Sequence, residues 1–564
     1  MTALTNIAAT LTRAARERGN EVALRCPGTR GADGFANYDV ALTFRELDLR
    51  SDLIARGLGA VGLAPGMRAV LMVRPSPEFF LLMFALFKAG AVPVLVDPGI
   101  DRRALRACLG EAEPHAFIGI PIAQAARTLL RWAPTANLKV WVGRGGIGGP
   151  ALAEVEALGH LIADDLPTTS ANDVAAILFT SGATGVPKGV VYRHRHFLAQ
   201  IDMLRESFAL EAGGVDLPTF PPFALFDPAL GLTSVIPDMD PSRPARANPA
   251  RLVEAIERFD VTQLFGSPAV LDVLVRFDAQ LPGVARVLSA GAPVPASTVS
   301  AMRDLLPRTA QLWTPYGATE CLPVAVIEGQ ELEATRFASE RGAGTCVGRA
   351  VTPNIVRIIG VDDSAIEQWH EGLACAPGEV GEITVAGPTA TDTYFNRPAA
   401  TRLAKIRETL PDGSMRIVHR MGDVGYFDAE GRLWFCGRMT QRVRSALVDI
   451  HTEQVEPIFN AIEGVRRSAL VGVPTVGAAG ASLVELPVLV MQLGAGARRV
   501  DKLRIEAEAR ALAQRFAHTR AITDVVFHAA FPVDTRHNAK IDRAKLARWA
   551  ARRLARTVNL QEHL

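Results

Sequence analysis

Residues 79–87, FFLLMFALF, form the strongest apolar run in the chain and leave it few ways to fold. Wound as a helix, the run is apolar on every side and must be buried on every side. Lys88 and Gly90 stop it and Pro93 follows, so it is far too short to cross a bilayer. The next segment, AVPVLV (91–96), reads as a strand. A buried helix running straight into a strand calls for a large, layered protein.

The rest of the chain supplies the layers. RAVLMV (68–73), AAILFT (175–180) and VTQLFG (261–266) read as further strands, and PEFFLLMFALFKAG and NPARLVEAIERF as helices between strands. That alternation predicts an α/β architecture. Between 349 and 435 the pattern changes to short strands with Gly-rich turns, IVRIIG, GEVGEITVAG and GRLWFCG, which predicts a small β unit. Beyond CGRM (436–439) it becomes mixed α+β, through SALVGV, LPVLVMQL and a helix-like 500–517. At 564 residues one core does not suffice, so two domains are expected, 1–437 and 438–564.

Composition excludes several classes. A net charge of +2 carries no global pull toward nucleic acid or an anionic surface. Six scattered cysteines lack CxxC spacing, which argues against a zinc site or a disulfide framework and for reduced thiols in a cytoplasm. The first twenty residues hold no apolar core of signal-peptide type, and no transmembrane segment is expected. The basic stretch 540–556 reads as a solvated amphipathic helix rather than a nucleic-acid face.

Chemistry is concentrated in FTSGATGVPKGVV, residues 179–191. Thr180, Ser181 and Thr184 offer hydroxyls, Gly182, Ala183 and Gly185 are small enough for backbone N–H groups to turn inward, and Lys188 adds a point charge. Such a concave run of donors suits phosphate oxygens. It is not a Walker A loop, because Lys188 follows Pro187 and Gly189 stands where a Mg²⁺-binding hydroxyl is required.

The loop resembles the signature of the acyl-adenylate-forming superfamily, and five further stretches match that family's landmarks in order. They are SAGAPVP (289–295), YGATE (316–320), GEVGEITVAGPTATDTYFNRP (378–398), HRMGDVGYFDAEGRLWFCGR (419–438) and PVDTRHNAKIDR (532–543). The resemblance implies a large N-terminal α/β domain with a small β subdomain, and a smaller, mobile α+β C-terminal domain acting as a lid. It also implies ATP as co-substrate and Mg²⁺ as cofactor. Thr180 to Gly185 and Lys188 would hold phosphates, Glu320 would bind the metal, and Thr319 would touch the α-phosphate. Gly291, Ala292, Pro293, Tyr316, Gly317 and Ala318 would line the adenine site. Asp423 would accept the ribose hydroxyls with Arg438 beside it, and Lys540 would be the catalytic lysine of the lid.

Departures from the family pattern bear on the fate of the adenylate. Thr440 occupies the hinge position, Leu447 stands where a glycine opens a thiol channel, and Asp449 replaces an arginine. TFPPFALFDPALG (219–231) resembles the acyl-pocket motif, with Phe223, Ala224 and Phe226 as its candidates and Ala224 where a histidine is common. Those departures argue against a thiol acceptor. SGATGVPKGVVYRHRHF, PPFALFDPALG and MRIVHRMGDVGYFD resemble the β-lactone synthetases of bacterial long-chain olefin biosynthesis. That resemblance implies a long-chain 2-alkyl-3-hydroxyalkanoic acid as substrate, ring closure by its own hydroxyl, and assembly with other enzymes of the route. A long-chain fatty acyl-CoA ligase or fatty acyl-AMP ligase is the alternative.

Overall fold

The computed structural model describes residues 4–96, 100–143, 146–180, 187–475, 484–494, 496, 499–533 and 541–561. Two sheets dominate the first 438 residues. The smaller has six strands in the spatial order Leu138–Trp141, Ala116–Gly119, Arg68–Met72, Val92–Val96, Val174–Thr180 and Lys188–Arg193. The first five run parallel and the last is antiparallel, paired so that Thr180 faces Lys188. Val, Ile, Leu and Ala fill the inner parallel strands because helices cover both faces.

The helix Pro77–Lys88 is the all-apolar run expected from the sequence, and every residue from Phe79 to Lys88 is buried. Its core joins Val190 and Tyr192 of the six-stranded sheet to Leu24 and Leu42 of the second sheet. The helix is therefore apolar all round because it has protein on both sides. Lys88, at its end, is buried with its ammonium 2.6 Å from both Asp48 and Asp52.

The second sheet has fourteen strands. Val215–Pro218, Gln263–Gly266, Arg286–Ser289 and Gln311–Ala318 run parallel, and then Cys321–Glu328 turns back antiparallel. The β unit expected between 349 and 435 is not a separate sheet. The strand Thr345–Ala350 pairs with Cys321–Glu328 on one side and Leu433–Arg438 on the other, so these strands extend the large sheet. Gly348 permits the junction: its φ is +81°, and an added Cβ would lie 1.9 Å from the Val326 carbonyl oxygen.

Beyond Arg438, two apolar clusters are built entirely from residues 443 onward, around Phe459, Leu489 and Ile505 and around Phe531, Leu546 and Ala550. They pack helices on a three-stranded sheet, Val465–Pro474, Glu485–Leu493 and Asp524–Phe527. The C-terminal helix, Arg543–Gln561, buries Leu546 and Ala550 and exposes most of its basic side chains through Arg553.

Candidate active site

The parallel strands of the second sheet end together, and their carboxyl ends are where open α/β sheets present ligands. Gly266 and Ser289 close two of them. The hydroxyls of Ser267 and Ser289 are buried with no hydrogen-bond partner among the described residues. Gly291, Ala292 and Pro293 follow in a turn that needs φ +98° at Gly291, a conformation glycine adopts without strain. Tyr316, Gly317 and Ala318 finish the next strand, and Thr319 and Glu320 form the turn into Cys321–Glu328. Gly317 leaves no room for a side chain, since a Cβ there would lie 2.8 Å from that of Leu322.

Asp423 and Arg438 face each other across an antiparallel pair, Met415–Phe427 with Leu433–Arg438. Arg438 Nη1 lies 3.0 Å from Asp423 Oδ1. Tyr316 donates its hydroxyl to Asp423 Oδ2 at 2.6 Å. Asp423 is 2% exposed, and burial raises its pKa against the opposing pull of Arg438. Its Oδ1 makes an ion pair but no aligned hydrogen bond, so one buried acceptor is left for an incoming donor. The Tyr316 ring, expected to stack on adenine, sits 5.9 Å from that of Phe435.

Glu320 lies near enough to Asp423 and Arg438 for its charge to act on both. Tyr394 donates its hydroxyl to Glu320 Oε1 at 2.6 Å, and no described residue bonds Oε2. The Lys188 ammonium lies 4.9 Å from the centre of the Tyr394 ring, so the tyrosine contacts both residues. Thr391 binds the Glu320 carbonyl through both its amide and its hydroxyl, at 2.9 and 3.0 Å. Behind them Lys405 is buried, donates to the Thr391 carbonyl, and has its pKa pushed down to about 8 by burial. From the other sheet, Tyr192 donates to the Thr319 carbonyl. The cleft thus lies where the edge strand Lys188–Arg193 meets the Thr319–Glu320 turn.

Thr180 ends its strand opposite Lys188. Ser181, Gly182, Ala183, Thr184, Gly185 and Lys540 lie outside the described residues. Phe223, Ala224 and Phe226 belong to an aromatic series beside the cleft: Phe223 is 4.3 Å from Phe265, and Phe226 is 6.1 Å from Phe197, which stacks on Tyr192 at 4.6 Å. Ala224 is buried in that cluster, where a histidine would need a polar partner. Leu447 is 84% exposed, and Asp449 is held 2.8 Å from Arg442. Thr440 is exposed at the start of the C-terminal part.

Sequence reasoning passed over Tyr394, Thr391, Lys405 and Tyr192, although TDTYFNRP contains two of them. Each acts through a neighbour: Tyr394, Thr391 and Tyr192 bond to residues more than seventy positions away, which no short motif encodes, and Lys405 acts through Thr391.

Lys188 and Glu320 thus meet at Tyr394, and Asp423 meets Arg438 and Tyr316, a set of charges and donors of the kind a nucleotide requires. Among the described residues no three His, Cys, Asp or Glu side chains cluster as a protein metal cage. One carboxylate with a free oxygen suits Mg²⁺, which keeps most of its shell as phosphate oxygens and water. No helix of the described residues is long and apolar enough to cross a membrane.

Comparison with known proteins gives the following. The family described as AMP-binding enzyme matches residues 11–395. An olefin β-lactone synthetase of Xanthomonas campestris pv. campestris is 64% identical over 552 residues, covering 98% of each chain. One from Stenotrophomonas maltophilia is 63% identical over 551 residues, 97% of this chain and 98% of that protein. Among solved structures, an amide bond synthetase from Marinactinospora thermotolerans superposes with a TM-score of 0.74 at 22% identity, covering 96% of this chain and 99% of that one.

Proposed function

Because the chain belongs to the AMP-binding enzyme family, we propose that it works as an ATP-dependent olefin β-lactone synthetase. The observation that carries this reading is identity of 64% spread over 98% of both chains, far beyond what a shared fold alone requires. The substrate is a long-chain 2-alkyl-3-hydroxyalkanoic acid. Its carboxylate attacks the α-phosphorus of ATP, diphosphate leaves, and an acyl adenylate forms. The substrate's own hydroxyl then attacks the acyl carbon. A C–O bond closes a four-membered ring, AMP departs with the bonding pair, and the hydroxyl proton is released. Nucleophile and electrophile arrive in one molecule, so the second step draws on intramolecular effective concentration.

Two anions meet in the first step, so cations and donors must be in place beforehand. In this reading Lys188 and the 180–185 loop hold the polyphosphate, and Thr319 contacts the α-phosphate. Gly291, Ala292, Pro293, Tyr316, Gly317 and Ala318 line the adenine pocket, and Asp423 with Arg438 receives the ribose. Glu320 would hold Mg²⁺, which when bound neutralises charge on the phosphate oxygens. The lid begins at the 437/438 boundary and brings Lys540 to the reacting phosphate. Phe223, Ala224 and Phe226 wall the acyl pocket. The enzyme works in the cytoplasm and hands an apolar lactone to the next enzyme of olefin biosynthesis.

Incubation with ATP, Mg²⁺ and a 2-alkyl-3-hydroxy acid tests this. Mass spectrometry should find a product lighter by one water, in equal yield with and without coenzyme A. A coenzyme A thioester as the product would replace the lactone reading with that of an acyl-CoA ligase.

A further inference from the structure

The segment Thr391–Phe395 fastens the two sides of the cleft together. Tyr394 bridges Val190, and the Phe395 amide donates to the Gly189 carbonyl at 2.8 Å, so the segment runs along the strand that carries Lys188. Its other end clasps the backbone of Glu320 through Thr391. Asp392 anchors it from outside, 2.9 Å from Arg193 Nε and 2.6 Å from Arg195 Nη2. The Tyr394 side chain points back into the cleft, 5% exposed, and meets both functional groups: Glu320 at 2.6 Å by hydrogen bond and Lys188 at 4.9 Å by ring face.

We propose that Tyr394 is a positioning residue for the adenylation step, acting through Glu320. Its hydroxyl occupies Oε1, which turns Oε2 toward the polyphosphate as a single, fixed oxygen ligand. Its ring face takes the Lys188 ammonium while its hydroxyl takes Glu320 Oε1, so each charge has a neutral partner and stays available to the nucleotide. Without the hydroxyl the carboxylate gains rotational freedom and an uncompensated oxygen, and both effects fall on metal-dependent binding. The inference rests on Glu320 as the metal ligand, and its test separates the two claims.

The probe is α,β-methylene-ATP, titrated calorimetrically into the intact protein with Mg²⁺ and, separately, with EDTA. Tyr394→Phe, which removes one oxygen atom, should weaken Mg²⁺-nucleotide binding by about tenfold and leave metal-free binding within about twofold. In ATP–pyrophosphate exchange the Mg²⁺ requirement should rise by the same factor, with kcat recovering at saturating Mg²⁺. Glu320→Gln should lose the Mg²⁺ enhancement altogether, and adding Tyr394→Phe to it should cost nothing further. Glu320→Asp, which withdraws the carboxylate from an intact Tyr394, should reproduce the Tyr394→Phe shift. Tyr394→Phe with wild-type Mg²⁺ dependence beside an inert Glu320→Gln overturns the positioning role and leaves the metal reading standing. Glu320→Gln that keeps the Mg²⁺ enhancement overturns both.

Discussion

Asp423 shows how much one side chain can be asked to do. It is almost wholly buried, accepts from Tyr316, pairs with Arg438, and keeps one oxygen without an aligned donor. A carboxylate in that state is costly in isolation and is held by its partners. Asp423→Ala would strand the Tyr316 hydroxyl and the Arg438 guanidinium together, at an expected cost of about 1–3 kcal/mol in unfolding free energy. Nucleotide affinity should fall as well. Urea denaturation and calorimetry on the same preparation check both, and an unchanged nucleotide affinity would remove Asp423 from the site. Tyr316→Phe is the gentler companion: it frees Oδ2, so affinity should change more than stability.

Elements carry their own predictions. The helix Pro77–Lys88 packs between the two sheets, and Phe84 has no exposed surface. Phe84→Ala should cost about 3–5 kcal/mol, read as a lower urea midpoint, because neither sheet can collapse into the gap without moving the other. The helix His194–Ser207 is sensitive to acid instead. His194 Nδ1 accepts from the Ile7 amide at 3.3 Å and His196 Nδ1 from the Arg193 amide at 2.9 Å, so both rings must be neutral. Burial pushes His194 down to about 4 and His196 down as well. Both pKa values are depressed on folding, so below about pH 6.5 the unfolded chain binds protons that the folded chain refuses. The contribution of these two histidines is therefore full above about pH 6.5 and is lost as the pH falls toward 4, approaching about 1.4 kcal/mol per pH unit for each. Urea denaturation from pH 7.5 to 5 on the wild type and His194→Asn should differ in slope by about that amount, the wild type losing more stability as the pH falls.

At the scale of the whole molecule, the apolar clusters from residue 443 onward are distinct from those around the two sheets, and polar contacts are among those that join the two parts. Thr345 donates to Glu453 at 2.9 Å, His518 lies against Gly342, and Arg442 and Arg444 reach Asp363 at 2.8 and 2.7 Å. Polar contacts of this kind suit the proposed lid, which must leave and return. Lys540→Ala should abolish adenylation, measured by pyrophosphate release, while calorimetric ATP affinity stays within about twofold. Wild-type adenylation rates in that variant would end its proposed role. Leu447, fully presented to solvent in the 445–449 turn, would meet any thiol arm approaching from that side. Leu447→Gly should leave lactone formation unchanged, because ring closure needs no second substrate.

Periodicity and motif order determined a good deal by themselves: the all-apolar helix, the strands of the α/β alternation, the change of texture after Arg438, and the nucleotide candidates from Lys188 to Arg438. These are local or near-local properties, set by side-chain hydrophobicity and by the few residues that can grip phosphate. Tertiary structure alone decided the rest. It merged the expected β unit into the fourteen-stranded sheet through the double pairing of Thr345–Ala350. It also brought Tyr394, Thr391 and Tyr192 onto the Thr319–Glu320 turn from strands and loops far along the chain, with Lys405 behind Thr391. Hydrogen bonds of that kind have no period and no spacing; they exist only once two sheets have closed on one another.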